Sequence, residues 1–253
     1  LIYYNAEKFC SRFTDLQVTI NQEDFRAANK NLHAKKVVYV PGVGVETHKF
    51  RATEDASVRV RQELGLDKDA VALLSVGELI PRKNHILVLR ALANMQSRGL
   101  INVEGKPKVK YFIAGRGRIE ADLQDEIRAL GLGDVAYMLG FRRDVADVFA
   151  ACDLYVFPSH QEGLPVALME AMSVGMPCIA SEIRGNVDLL SDGQGGYLFD
   201  SHDVESLTDA LLKGLELSQQ DRIEMGQVNI DTMQSFDKDT VNASMRQLYE
   251  ELV

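Results

Sequence analysis

Two observations predict an α/β protein built on a doubly wound parallel sheet. Short, continuously apolar runs recur at 36–40 (KVVYV), 70–76 (AVALLSV), 109–114 (VKYFIA), 134–139 (DVAYML), 153–157 (DLYVF), 177–181 (PCIAS) and 196–199 (GYLF). Between them lie helical patterns at 56–64, 85–97, 118–130, 144–151, 165–174 and 203–217. Strands that are apolar throughout and separated by helices belong to a parallel sheet covered on both faces. Ligands of such sheets bind beyond the carboxyl ends of the strands, so the loops after each strand are where chemistry is expected.

The elements follow from local pattern. Within 118–130, Ile119, Leu123, Ile127 and Leu130 form one stripe, and Glu120, Asp122 and Asp125 lie off it. Pro165 suits the first position of helix 165–174 and Gly175 its end. The last helix has cap candidates in Ser235 and Asp237 and a stripe of Val241, Met245, Leu248 and Val253. Residues 41–55 (PGVGVETHKFRATED) form a Gly/Pro-marked connector, after which the strand–helix register starts afresh. This predicts residues 1–43 as the tail of a preceding domain, 44–235 as a Rossmann-like domain, and 236–253 as a helix crossing back to the first. The chain begins with Leu, in what reads as mid-helix, so it is expected to be part of a longer protein.

Composition excludes several classes. The 253 residues carry a net charge of −9, which argues against a nucleic-acid partner. No run approaches the roughly 18 apolar residues of a membrane span, and Glu7 and Lys8 interrupt any would-be signal peptide. Cys10, Cys152 and Cys178 are odd in number and unpatterned. They read as reduced thiols in apolar surroundings, which points to the cytoplasm and away from disulfides or zinc.

Against this acidic background, three basic clusters follow strands: Arg82-Lys83, Arg116 with Arg118, and Arg142-Arg143. A shared anionic ligand, phosphate in the usual case, explains their coincidence on one edge. On the same edge lies SHQEGLPVALMEAM (159–172), with Glu162 in a Gly/Pro turn and Glu170 inside the following helix. That helix points its N–H groups at the site, and Gly163 permits close backbone approach. An ionised Glu only accepts hydrogen bonds, so a sugar hydroxyl or ribose diol is the natural target.

Competing motifs are weaker. GRGRIEADL (115–123) lacks the third glycine of a dinucleotide fingerprint, and no P-loop exists. Asp67-Lys68-Asp69 and Asp237-Lys238-Asp239 resemble metal-holding Asp-x-Asp pairs but read as structural, the first at the opposite sheet edge. Ser159-His160 lacks a nucleophile elbow, and His85 reads equally as a helix-start residue or a ligand contact.

Taken together, YVPGVGVETHKF, SVGELIPRKNH, IAGRGRIEADL, LGFRRDV, PSHQEGLPVALMEAMSVGMPCIAS and IRGNVDLL…GGYLF resemble, in order, the motifs of retaining glycosyltransferase family 4. Glu162-x₇-Glu170 matches that family's Glu-x₇-Glu signature. The variants resemble the branch that builds bacterial capsular, exopolysaccharide and lipopolysaccharide sugars. The resemblance implies the C-terminal, donor-binding half of a GT-B fold. It implies transfer from a nucleotide diphosphate sugar, often a UDP-sugar, with retention and with no cofactor or metal. The acceptor, a glycan or lipid-linked sugar, would be held by the N-terminal domain. The full-length protein would be cytoplasmic or peripheral on the inner face of the membrane.

Carried over by position, Glu170 would hold the ribose, and Glu162 would face the donor sugar and diphosphate beside Gly163. N–H groups of Leu164 and Val166 would bind phosphate, and Lys83 would neutralise the leaving diphosphate. The backbone at Phe141-Arg142 would meet the base, with Gly115 and Arg116 nearby. Two departures stand out. Glu78 replaces the family's frequent Arg, with Arg82 or Arg116 left to compensate, and Pro165 offers no N–H where many members have Gly. Other classes left open are a catalytically silent nucleotide-binding module and a nucleotide-sugar hydrolase or epimerase of similar fold.

Overall fold

A computed structural model describes residues 2–50 and 54–251. Residues 51–53 of the connector and Val253 of the last stripe lie outside the described residues. The elements, in order, are α1 (Ile2–Cys10), β1 (Leu16–Thr19), α2 (Gln22–Asn31), β2 (Lys36–Tyr39), α3 (Glu54–Glu63), β3 (Ala70–Val76), α4 (His85–Ser97) and β4 (Lys108–Ala114). They continue with α5 (Glu120–Ala129), β5 (Ala136–Gly140), α6 (Val145–Ala151), β6 (Leu154–Phe157), α7 (Val166–Val174), β7 (Cys178–Ser181), α8 (Asn186–Leu189) and β8 (Gly196–Phe199). Three helices follow: α9 (Val204–Glu216), α10 (Gln219–Met233) and α11 (Lys238–Glu250).

Six strands form one parallel sheet in the order β5-β4-β3-β6-β7-β8, the doubly wound arrangement the sequence predicts. The chain reverses its direction of winding between β3 and β6, the switch point where such sheets bind ligands. Both faces are covered. Leu73, Tyr111 and Ile113 turn toward α4, α5 and α9, whereas Ala72, Leu74 and Phe112 turn toward α3, α6 and α7. This alternation on continuously apolar strands is what burial on both sides requires.

A separate parallel pair, β1-β2, lies in the first 40 residues. Strand β1 (LQVT) is not among the sequence-predicted strands, because its four residues alternate polar and apolar too briefly to stand out. The four-residue α8 is missed for the same reason of length. The connector is pinned to the start of α11. Val45 N–H donates to Phe236 O (2.9 Å), and Lys238 N–H donates to Val45 O (3.0 Å). Asp237 is the cap of α11, accepting from Asp239 N–H, and Lys36 of β2 pairs with Glu251 at its far end (2.7 Å).

Two expectations need correction. Pro165 is the cap residue of α7, not its first helical residue: its ψ of 114° is extended, so helical dihedrals begin at Val166. Cys10 is exposed, not set in apolar surroundings, because α1 turns that face outward; Cys178 is buried and Cys152 half-buried, all three as free thiols. Among the described residues, no helix is long and apolar enough to cross a membrane.

Candidate active site at the switch point

After β3 the chain runs through Gly77 and Glu78 into a 3₁₀ turn, Pro81–Lys83, which Asn84 closes in the left-handed region (φ 56°). This turn aims Lys83 across the switch point. Its Nζ lies over the Phe157 ring at the end of β6, 4.8 Å from the centroid, and 2.8 Å from Glu162 Oε1. Arg82 reaches the same oxygen (2.9 Å) and donates to Gln161 O (2.5 Å). His160 N–H donates to Arg82 O (2.9 Å). The loops after β3 and β6 are thus stapled together, with the nearly buried Glu162 between two cations.

Beyond Glu162 the chain enters α7. No side chain caps this helix, and the N–H groups of Leu164 and Val166 carry no hydrogen bond within the described residues. Uncapped N–H groups at a helix start are a ready anion site. Glu170, one turn further on, is half-buried, and its carboxyl has no hydrogen bond or ion pair among the described residues. Burial pushes its carboxyl above the ordinary range. Its charge is felt by Tyr155, whose hydroxyl donates to Val76 O (3.2 Å).

Val76 lines a cavity of about 310 Å³ at the ends of β3, β4 and β5, together with Gly77, Glu78, Gly115, Arg116 and Phe141. The two strand exits approach so closely that a Cβ on Gly115 would lie 1.8 Å from Gly77 O, which only glycine allows. Phe141 is 61% exposed at the rim.

The basic clusters divide in a way their sequence positions do not show. Arg116, Arg118 and Arg143 are exposed and unpaired among the described residues. Arg142 is committed elsewhere: its guanidinium pairs with Glu63 and with Asp144 (2.7 Å), which raises its pKa further. As a phosphate-attracting cation it must be struck out, although its backbone still borders the cavity.

Other sequence candidates settle. His85 is the buried first residue of α4, 3.5 Å from the Tyr111 hydroxyl. Burial, then the Lys83 charge, lowers its pKa to about 4. It is a core residue at a helix start. His160 stacks on His202, with ring centroids 4.7 Å apart. Asp67 and Asp69 pair with Lys108 at the far edge, and Asp237 caps α11. Among the described residues, no group of three or more His, Cys, Asp or Glu converges as a metal site requires.

One basic residue at the same edge went unnoticed in the sequence. Arg184, after β7, donates to Glu162 O (3.2 Å) and to Asp24 (2.8 Å). The strand-end rule that selected the other clusters would have selected it too.

Comparisons with known proteins agree with this geometry. Residues 58–228 match the model of the family "Glycosyl transferases group 1". The chain is 30% identical over 216 residues to the UDP-Gal:alpha-D-GlcNAc-diphosphoundecaprenol alpha-1,3-galactosyltransferase of Escherichia coli, covering 84% of this chain and 54% of that protein. It is 31% identical over 186 residues to the D-inositol 3-phosphate glycosyltransferase of Stackebrandtia nassauensis, covering 71% of this chain and 40% of that protein. The chain therefore spans about half the length of these relatives. In fold it is similar to Anabaena HepE, whose crystal structure is a complex with UDP, at a TM-score of 0.84 and 22% identity, over 97% of this chain and 66% of that one. A sheet wound in this order, a strand-end site built from the loops after β3 and β6, and a family match across most of both place the chain among the glycosyl transferases of group 1.

Proposed function

We propose that this chain carries the donor side of a retaining glycosyltransferase that uses a nucleoside diphosphate sugar, a UDP-sugar, without a metal. The observation that carries the reading is Glu170: a half-buried carboxylate with no side-chain partner among the described residues, one helical turn from uncapped N–H groups. Leaving such an acceptor unpaired costs stability unless a ligand fills it. A ribose diol supplies the two donors it lacks, and the diphosphate then falls toward α7 and Lys83.

In this reading the base occupies the cavity beside Gly115 and Phe141, with Phe141 and the backbone at Arg142 at its rim. Lys83 and the N–H groups of Leu164 and Val166 stabilise charge as it develops on the leaving diphosphate, the role a metal plays in other sites. Glu162 holds Lys83 and Arg82 in register and faces the sugar. Arg82 and Arg116 supply the charge that Glu78 does not. Residues 1–43 belong to the acceptor side, 44–235 form the donor domain, and 236–253 cross back, as the Lys36–Glu251 pair supports. The E. coli relative acts on a diphosphoundecaprenol acceptor, which supports a glycan or lipid-linked acceptor in bacterial polysaccharide synthesis and a cytoplasmic protein peripheral to the inner membrane face.

Calorimetric titration with UDP, GDP and ADP, each with and without chelator, tests the donor reading. One nucleotide should be clearly preferred and unaffected by chelator. Equal or absent binding of all three would remove it. Product stereochemistry by NMR, with a UDP-sugar as donor, tests retention.

A further inference from the structure

We propose that Arg184 is a positioning residue that couples the diphosphate side of the site to helix α2 through Asp24. The site half of this coupling rests on the donor reading above. Arg184 lies in the turn between β7 and α8, and that turn is fixed from three sides. Buried Ser181 Oγ donates to Ser159 O (2.5 Å), and Asn186 Nδ2 donates to Ser181 O (2.9 Å). Gly185 packs so tightly on the Glu162–Leu164 turn that a Cβ there would lie 2.2 Å from Gly163 O. Arg184 Nε donates to Glu162 O (3.2 Å).

The same guanidinium reaches out of the domain. Its Nη1 donates to Asp24 Oδ1 (2.8 Å) in the first turn of α2. Asp24 is itself held: Asn21 Nδ2 donates to its other oxygen (2.7 Å), and its N–H donates to Asn21 Oδ1 (2.7 Å). A second link runs the opposite way, with Gln22 N–H donating to Asp188 of α8 (2.6 Å). The N-terminal turn of α2 and the β7–α8 turn therefore clasp each other by reciprocal charge and hydrogen bonding.

The consequence lies in Glu162. Its carboxylate holds Lys83 and Arg82, the cations a diphosphate would also engage. When phosphate takes them, the carboxylate must swing or share while the backbone stays in place. Arg184 holds that backbone, and Asp24 holds Arg184. Any energy that donor binding puts on the turn is transmitted to α2, and the reverse holds by linkage. The Arg184–Asp24 pair is about a third exposed on one side and two-fifths on the other. The expected coupling is therefore small, about threefold to fivefold in affinity, the scale of a partly solvated ion pair.

Titrating the whole chain with UDP and with uridine decides it, using Asp24→Asn, Arg184→Gln, Arg184→Lys and the double variant Asp24→Asn/Arg184→Gln. Each single change should weaken UDP about threefold to fivefold and uridine by less than about twofold. The double variant should be no weaker than the weaker single, since both break one link. Arg184→Lys keeps a charge near Asp24 but lacks the planar guanidinium whose Nε and Nη1 reach Glu162 O and Asp24 from separate nitrogens, so it should behave as Arg184→Gln. Amide exchange at Gly163 and Leu164 in the unliganded chain should quicken alike in Asp24→Asn and Arg184→Gln. Unchanged UDP affinity and unchanged exchange in Asp24→Asn, effects that multiply in the double variant, or equal losses for uridine would overturn the coupling. If the wild-type chain binds no nucleoside diphosphate, the donor reading falls, and the exchange comparison alone still decides whether Asp24 positions the turn.

Discussion

At the amino-terminal edge of the six-stranded sheet, Asp153 accepts from Ala72 N–H (2.8 Å), Arg61 (3.3 Å) and Arg222 (3.1 Å). Lys108 lies against both Asp67 and Asp69. At the carboxyl edge, by contrast, the side chains of Glu78, Arg116, Arg118, Arg143 and Glu170 have no hydrogen-bond or ion-pair partner among the described residues. The edges are built from the same strands and the same helices. Among the described residues, the first edge pairs its half-buried charges, apart from a buried N–H of Arg222, whereas at the second Arg82, Lys83, Glu162 and Arg142 are paired and the half-buried Glu170 carboxylate is not. Size would mislead here, since the amino-terminal edge borders a cavity of about 920 Å³, three times that of the carboxyl edge. Unsatisfied polar groups, more than volume, mark where a ligand belongs.

The largest effect expected from this contrast is on stability. Asp153→Ala removes the shared acceptor of two arginines and a strand N–H. Each of the three side chains is about a quarter exposed or less, so the loss should be about 3 kcal/mol, the low end for a broken buried pair. Urea unfolding reads it directly. UDP affinity of the folded protein should stay within about twofold. A larger loss of affinity than of stability would show that the two edges are not separate.

Lys83→Ala should act the other way round. Binding of UDP should weaken by about 2–3 kcal/mol, because the contact is charge-assisted, while uridine binding barely changes. Arg82→Ala should cost less, since Arg82 is more exposed and divides itself between Glu162 and Gln161 O. A larger loss from Arg82→Ala would move the phosphate role onto that residue.

Glu170 sharpens the contrast because it combines both quantities. Glu170→Ala should weaken UDP and uridine alike, by about 2 kcal/mol, since both carry the ribose. Its folded-state pKa is raised by burial, so the folded protein disfavours the ionised form. Its contribution to stability is complete below the unfolded-state pKa and is lost as pH rises through the folded one. Glu170→Gln should therefore leave stability unchanged in acid and raise it at neutral pH. Uridine affinity of the natural protein should fall as pH drops through the raised value. Unfolding curves at both pH values that shift equally would remove the burial argument.

Much of this contrast was legible in the sequence, and the limits have physical causes. Local pattern sufficed for the six long-range strands, since apolar runs and helical stripes are properties of neighbouring residues. It sufficed for Gly175, which ends α7 in the left-handed region at φ 83°. Pairing across the fold was not legible. Arg142 looks like a ligand cation because Glu63, which shares its guanidinium with the neighbouring Asp144, lies 79 residues earlier. The Lys83–Glu162 contact spans the same separation and joins two residues that the sequence assigned to neighbouring roles without showing that they touch. The position of Arg184 after a strand was legible, but its link to Asp24, 160 residues away, was not. Residue type shows which groups could bind a ligand; only tertiary packing shows which are already taken.

The smallest expected effect tests whether the open edge acts through general field or through specific contact. Glu78 is exposed and shares the cavity wall with Arg116, so it places a negative charge at an edge otherwise suited to phosphate. Glu78→Gln removes the charge and keeps the size. Stability should move by less than about 0.5 kcal/mol, as for an exposed side chain without partners. Two unit charges about 10 Å apart in water interact by about 0.4 kcal/mol. Against a diphosphate this amounts to UDP binding that is tighter by about twofold to threefold, with uridine unchanged. The gain should vanish near 1 M salt, where the screening length is about 3 Å. Titration of UDP at low and high salt measures both. A gain that survives high salt, or that appears equally with uridine, would mean that Glu78 touches the base or ribose directly and that its carboxylate is a selective contact, not a background charge.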